Sequence, residues 1–311
     1  MTYFRMLIIF LSGIVSMNAQ ELIEETIELQ NGKIEIPGIL SYTDSEKPLP
    51  LTIFIHGSGN IDRNGNQAGL NIGANYIKVL ADSLNSKGIA FFRYDKRTAN
   101  PANRKLIDHT ISYEDIVEDA RIVMKHFAGD DRFSSITVIG HSQGALTSLL
   151  AMNEAISKYI SLAGASKTLE ETVIAQINLQ SKELGAIAKQ HFEELRKTDT
   201  IQEVNFMLQS IFNPVNHTFV KSYNAYLPTE EIAKIKLPTL IINGASDLQI
   251  TPEDANALKA SNPNAELIII PEMNHVLKTV KDLQENQASY RDASFPLSSE
   301  LVAVLTEFIK K

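Results

Sequence analysis

Two rhythms alternate along the chain. Leu51-Thr-Ile-Phe-Ile55 is a short, nearly continuous apolar run, as expected of a strand covered on both faces. Ile89 to Tyr94, Ile136 to Ile139, Tyr159 to Ala163, Leu237 to Asn243 and Ala265 to Ile270 repeat it. Between these runs, apolar residues recur at helical spacing in Ile72 to Leu84, Glu114 to Phe127, the stretch after Gly144, Glu253 to Ala260 and Ser298 to Ile309. Strands alternating with helices predict right-handed crossovers and an α/β protein with a mostly parallel, doubly wound sheet.

Two regions depart from that rhythm. Ile27 to Ile36 alternates apolar and polar about Asn31-Gly32, a pair suited to a tight hairpin turn, and predicts an antiparallel sheet edge. Residues 167–234 hold no strand pattern and are rich in Glu, Gln, Lys, Leu and Ile at helical spacing, which predicts an inserted helical cap. The expected organisation is a signal segment at 1–20, core at 21–166, cap at 167–234 and the rest of the core at 235–311.

The first of those segments sets an address. Arg5, the apolar run Met6 to Val15 and Asn18-Ala19-Gln20 read as a secretory signal with cleavage near Gln20, and the run is too short to span a bilayer. A secreted or periplasmic bacterial protein without a stable membrane anchor is the expectation. The chain has no cysteine, which excludes disulfides, thiolate metal sites and a lipidated cysteine. Its formal net charge of -8, with no run of basic residues, argues against nucleic acid and for a small neutral or apolar substrate.

The chemistry centres on Gly140-His-Ser-Gln-Gly144, which directly follows a predicted strand and opens a predicted helix. Two glycines make room for so sharp a reversal, and Ser142 at its apex projects its hydroxyl, the arrangement of a GxSxG nucleophile elbow. A serine hydroxyl is a poor nucleophile near neutrality, so a base and a group that orients the base are required. Of the seven histidines, His275 follows a strand directly, which brings it to the sheet edge where the elbow lies. His56 also follows a strand, but its glycine-rich successor suits a backbone role; His109, His126, His191 and His217 fall in loops, helix or cap. Asp247, after the strand Thr239 to Ile242, is the expected orienting carboxylate, with Glu272 as fallback. The N–H groups of Gln143 and of Ser58, in His56-Gly-Ser-Gly59, are the expected oxyanion donors.

Gly140 to Gly144, Asp247 and His275, in that order, resemble the α/β-hydrolase superfamily over nearly the whole chain after the signal. His56 to Gly65, Arg93-Tyr-Asp-Lys-Arg97 and Met273 to Lys278 resemble a bacterial carboxylesterase-like branch related to EstD-type esterases and serine aminopeptidase-like hydrolases. The resemblance implies an α/β-hydrolase fold, a Ser142, Asp247, His275 triad, an oxyanion hole at Ser58 and Gln143, no cofactor, no metal, and a small ester substrate with a short or medium acyl chain. Departures occur at Thr98-Ala-Asn-Pro101, where relatives are glycine-rich, and at Ala145; both bear on substrate range.

Phe206, Met207, Leu208, Ile211 and Phe212 of the cap suit either an acyl pocket or the cap's own core; Phe206 and Phe212, with His141, are the expected substrate contacts. Asp62, Arg63, Arg93, Asp95 and Arg97 suit a charge network bracing the site loops better than substrate binding. A peptidase with the same triad is the alternative function, with Glu170, Glu171, Glu193 and Glu194 as candidate partners for a substrate ammonium, and an inactive binding module is a third.

Overall fold

A computed structural model describes residues 21–107 and 110–311; residues 1–20, where a signal segment is expected, and His109 lie outside the described residues. Eight strands form one sheet in the order β1-β2-β4-β3-β5-β6-β7-β8. They are β1 (Leu22–Asn31), β2 (Ile34–Thr43), β3 (Leu49–Ile55), β4 (Ala90–Tyr94), β5 (Phe133–His141), β6 (Lys158–Leu162), β7 (Thr239–Gly244) and β8 (Glu266–Ile270). β1 and β2 form the predicted antiparallel hairpin, with Gly32 at φ 61°, and β2 also runs antiparallel to β4. Every other pairing is parallel, from β4 through β8. This is the α/β-hydrolase fold.

The parallel strands are apolar throughout because helices cover both faces. On one face Phe54, Phe91, Ile139 and Ile242 meet α1 (Tyr76–Asn85) and the C-terminal helix, α11 (Ser299–Lys310). On the other, Ile53, Ile55, Phe92 and Val138 meet α2 (Tyr113–His126) and α3 (Gln143–Ala151), and Tyr159 and Ile241 meet α9 (Pro252–Ser261). Alternation of Ile53, Phe54 and Ile55 between the two cores follows from the two-residue period of a strand.

Between β6 and β7 the chain forms α4 (Leu169–Gln180), α5 (Lys182–Thr198), the single turn α6 (Gln209–Phe212), α7 (His217–Tyr223) and α8 (Pro228–Ala233). Val173, Phe192, Leu195, Leu208, Phe212 and Val220 give these helices a core of their own.

Two differences from the sequence expectation bear on the site. The helix expected from Ile72 begins at Tyr76, because Gly73 N–H donates to Tyr290 O (2.9 Å) and Asn75 takes a left-handed conformation with φ 48°. A further helix, α10 (Leu283–Ser289), lies between β8 and α11 where no helix was expected.

Candidate active site

The elbow forms where β5 gives way to α3 with only Ser142 between them. Ser142 has φ 55° and ψ −121°, a conformation that residues with a Cβ rarely adopt. Its N–H still donates to Leu162 O (2.9 Å), so the strained residue remains anchored to β6. A Cβ on Gly140 would lie 2.4 Å from Gly144 O, and one on Gly144 only 2.0 Å from Ile55 O. Those contacts are with backbone, so α3 approaches β3 and β5 this closely only because both positions are glycine.

The structure brings His275 and Asp247 together at the same sheet edge. His275 Nδ1 and Asp247 Oδ2 are 2.7 Å apart, and both residues are buried. The other carboxylate oxygen, Asp247 Oδ1, accepts from the N–H groups of Gln249 (2.8 Å) and Ile250 (3.0 Å). With Nδ1 bound to the carboxylate, Nε2 is the ring nitrogen of His275 that remains for a serine proton. The fallback acid, Glu272, is exposed.

Two neutral amides that sequence reasoning did not single out support this pair. Asn274 accepts from Lys278 N–H (3.0 Å) and donates to Asn286 Oδ1 (3.1 Å) and Ser289 Oγ (2.8 Å). Asn286, on α10, donates in turn to Ser246 O (2.7 Å), immediately before Asp247. The loops carrying His275 and Asp247 are thus joined through one buried amide chain. Lys278, fully buried, hooks the following segment by donating to Phe295 O (2.7 Å).

On the opposite side, the His56-Gly57-Ser58-Gly59 loop packs against Ser142: a Cβ on Gly57 would meet Ser142 Cβ at 3.0 Å. Ser58 is exposed there. Gln143 is the first residue of α3, where an N–H has no carbonyl one turn back to bond. Beneath both lies Lys96, which the sequence reading did not place in the site. It is buried, and its Nζ donates to Gly57 O (2.9 Å) and Gln143 Oε1 (2.7 Å). Continuing the alternation of β4 past Phe92 and Tyr94 would have assigned Lys96 to the inner face; its charge concealed that.

The remaining histidines near the site are structural. His56 is buried against Tyr94 and contacts Tyr94 O through Nε2 (3.0 Å); desolvation pushes its pKa down to about 3. His141 was expected to touch substrate, but it is buried among Phe54, Tyr76 and His275, and its Nε2 donates to His275 O (2.9 Å). Burial holds it neutral, with a pKa well below the usual histidine range. Its position fits bracing of the base loop rather than substrate contact. Phe212 likewise fits the inserted helices' own core, against His191 and Phe192, while Phe206 is 86% exposed.

The charged residues form pairs. Arg63 grips Asp95 through Nε (2.9 Å) and Nη2 (2.7 Å), Arg93 reaches Glu24 (2.9 Å) and Asn64 (3.1 Å), and Arg97 binds Asp119 through two 2.6 Å bonds. Asp62 Oδ1 accepts from Asn64 and Asn66 N–H. All five residues are occupied in holding the loops at this edge. A cleft of about 580 Å³ opens beside the site between Leu70, Ile72, Leu248 and α10, and its lining includes neither Ser142 nor His275.

A model of the family described as serine aminopeptidase, S33, matches residues 68–279, more than half of the chain. The chain belongs to that family. No curated protein sequence matches this S33-family chain. Among solved structures, Est1E from Butyrivibrio proteoclasticus, in a structure with ferulic acid bound, superposes with a TM-score of 0.58 at 19% identity, covering 92% of this chain and 100% of that one. The Pyrococcus furiosus esterase Pf2001 gives 0.56 at 16% identity, over 93% and 91% of the two chains. Pyrococcus horikoshii acylaminoacyl peptidase gives 0.57 at 13% identity, over 94% of this S33-family chain and 42% of the peptidase. The likeness to these structures is one of fold. The S33-family chain is an α/β hydrolase of the serine type.

Proposed function

We propose that the protein is an exported serine hydrolase that cleaves carboxylic esters with short to medium acyl chains through an acyl-enzyme on Ser142. The observation that carries this reading is the buried His275–Asp247 pair at 2.7 Å, at the sheet edge where Ser142 sits strained at the elbow. In this mechanism Ser142 Oγ attacks the ester carbonyl while His275 Nε2 takes its proton. The oxyanion of the tetrahedral intermediate is held by the N–H groups of Ser58 and Gln143, the second at the positive end of α3. Collapse breaks the C–O bond to the alcohol, which leaves with the proton from His275. A water molecule, deprotonated by His275, then attacks the acyl-enzyme and releases the acid.

The test is fluorophosphonate labelling with mass-spectrometric mapping, together with turnover of a nitrophenyl ester series. Labelling at Ser142, absent in Ser142→Ala, with ester turnover is the expected result. A folded protein that neither labels nor turns over any chain length sinks the proposal. Export is tested by the N-terminal sequence of the exported protein, expected to begin near Gln20.

The family's description favours a second reading, removal of N-terminal residues from peptides. That reaction needs an acidic partner for the substrate ammonium. Glu170 is already paired with Arg196, Glu171 caps α4 through Thr168, and Glu194 accepts from Gln202 N–H (2.9 Å). Glu193, half-buried on α5, is the candidate left for an ammonium. The commitment of the other three favours the ester, and aminoacyl-anilide turnover exceeding nitrophenyl ester turnover, lost in Glu193→Gln, would reverse the order.

A further inference from the structure

We propose that Lys96 is the positioning residue of the oxyanion hole: its one buried ammonium orients both backbone donors by holding the Gly57 carbonyl and the Gln143 side chain together. The inference rests on the serine-hydrolase reading above. Its geometry is specific. The peptide between Gly57 and Ser58 is planar and trans, so the Gly57 carbonyl and the Ser58 N–H point in opposite directions. An ammonium 2.9 Å below the carbonyl therefore aims the Ser58 N–H upward, away from the core and beside Ser142. The same ammonium, 2.7 Å from Gln143 Oε1, pins the side chain of the residue whose N–H is the second donor. One cation thus ties the loop after β3 to the start of α3, two segments that no other side-chain bond among the described residues connects at this point.

Burying an ammonium among neutral oxygens is unfavourable unless its charge is used or paired. The nearest carboxylate to influence it, Asp119, is committed to Arg97 by two 2.6 Å bonds. Lys96 has no carboxylate hydrogen-bonded to it among the described residues, and Asp119 offsets its charge only in part; the remaining positive charge behind the two donors also favours the negative charge that develops on the substrate oxygen.

Burial pushes the Lys96 pKa down to about 7. As pH rises through that value the ammonium becomes an amine, the electrostatic support weakens, and kcat falls. The titratable groups around it do not blur this limb. His56, after β3, is neutral above about 3; Asp119, on α2, favours the charged lysine; Tyr113 on α2 and Tyr223 on α7 are buried phenols with raised pKa values, and Tyr223 contacts the Gln143 side chain.

The experiment compares wild type, Lys96→Met and Gln143→Met in nitrophenyl ester kinetics across pH 5–10 and in the rate of fluorophosphonate labelling of Ser142. Lys96→Met is expected to lose about 100-fold in kcat and in labelling rate, with KM within about threefold, as when a transition-state donor is misplaced. Its alkaline limb should disappear. Gln143→Met removes one of the two acceptors but neither N–H group, and should lose about tenfold while keeping the limb. A folded Lys96→Met with wild-type kcat, or one whose loss lies wholly in KM, overturns the proposal. Should Lys96→Met not fold, the wild type and Gln143→Met decide: a flat alkaline profile with an unimpaired Gln143→Met overturns it equally. Persisting hydrolysis in Ser142→Ala would instead remove the serine-hydrolase reading, so the two failures are distinguishable.

Discussion

Two supports meet at Ser142, and they are built from different materials. On the acid–base side, Asp247 and His275 are positioned by neutral groups: Asn274, Asn286, Ser289 and backbone N–H. On the side of the proposed oxyanion hole, Gly57 and Gln143 are joined by the titratable ammonium of Lys96. The difference follows from what each side must hold. A histidine that cycles between neutral and protonated is best surrounded by groups whose charge stays fixed over the same pH range. An oxyanion hole holds negative charge, and there a buried cation assists the reaction as well as the geometry.

The comparison breaks most severely at the carboxylate. Asp247→Asn keeps the shape but no longer fixes the histidine tautomer, and kcat for a nitrophenyl ester should fall about 10⁴-fold with the fold intact by circular dichroism. Retention of more than a tenth of wild-type kcat would show that Asp247 does not orient His275.

A smaller effect is expected where the neutral chain is cut. Asn286→Ala leaves one N–H of the Asn274 amide and the Ser246 carbonyl without their partner, so stability should drop by roughly 1–3 kcal/mol, visible as a lower urea midpoint. Because no charge is removed, the pH profile of kcat should keep its shape, in contrast to Lys96→Met. A displaced acid limb in Asn286→Ala would mean that this support also tunes the base.

The smallest effect sharpens the contrast in stability. Lys96 has a lower pKa folded, about 7, than an ordinary lysine. Between those two values the unfolded chain binds more protons than the folded one, so stability rises with pH across the window. Below about 7 both states are protonated and the penalty of the buried charge is present in full. The melting temperature of wild type should therefore gain on that of Lys96→Met as pH is raised from 7 toward 10, measured by calorimetry. A constant difference would place the Lys96 titration outside this range.

The acid–base side was also the more legible of the two in the sequence. Ser142 follows a strong apolar strand directly and Asp247 and His275 come a few residues after theirs, and strand ends at one sheet edge are neighbours whatever the loops do. Lys96 escaped because its spacing said inner face while its residue type said surface, and only packing resolves such a conflict. Asn286 escaped because α10, seven residues rich in Gln, Asn and Ser, has too little apolar surface to betray a helix, and Asn274, in the segment after β8, escaped because its partners Asn286 and Ser289 lie on that helix. His141 and Phe212 were assigned to substrate from their place in the chain. The sequence could not reveal that each would be enclosed by rings of its own neighbourhood, Phe54 and Tyr76 for one, His191 and Phe192 for the other.

The bond from His141 Nε2 to His275 O, 2.9 Å long, has a consequence for tolerance. His141 is the residue immediately before Ser142, so the backbone of His275 is located from the turn that carries Ser142. In a machined assembly the two working parts would be said to share one datum. In the proposed mechanism, the gap across which a proton must pass is then referred to one short link rather than to the summed errors of the strands β5 to β8.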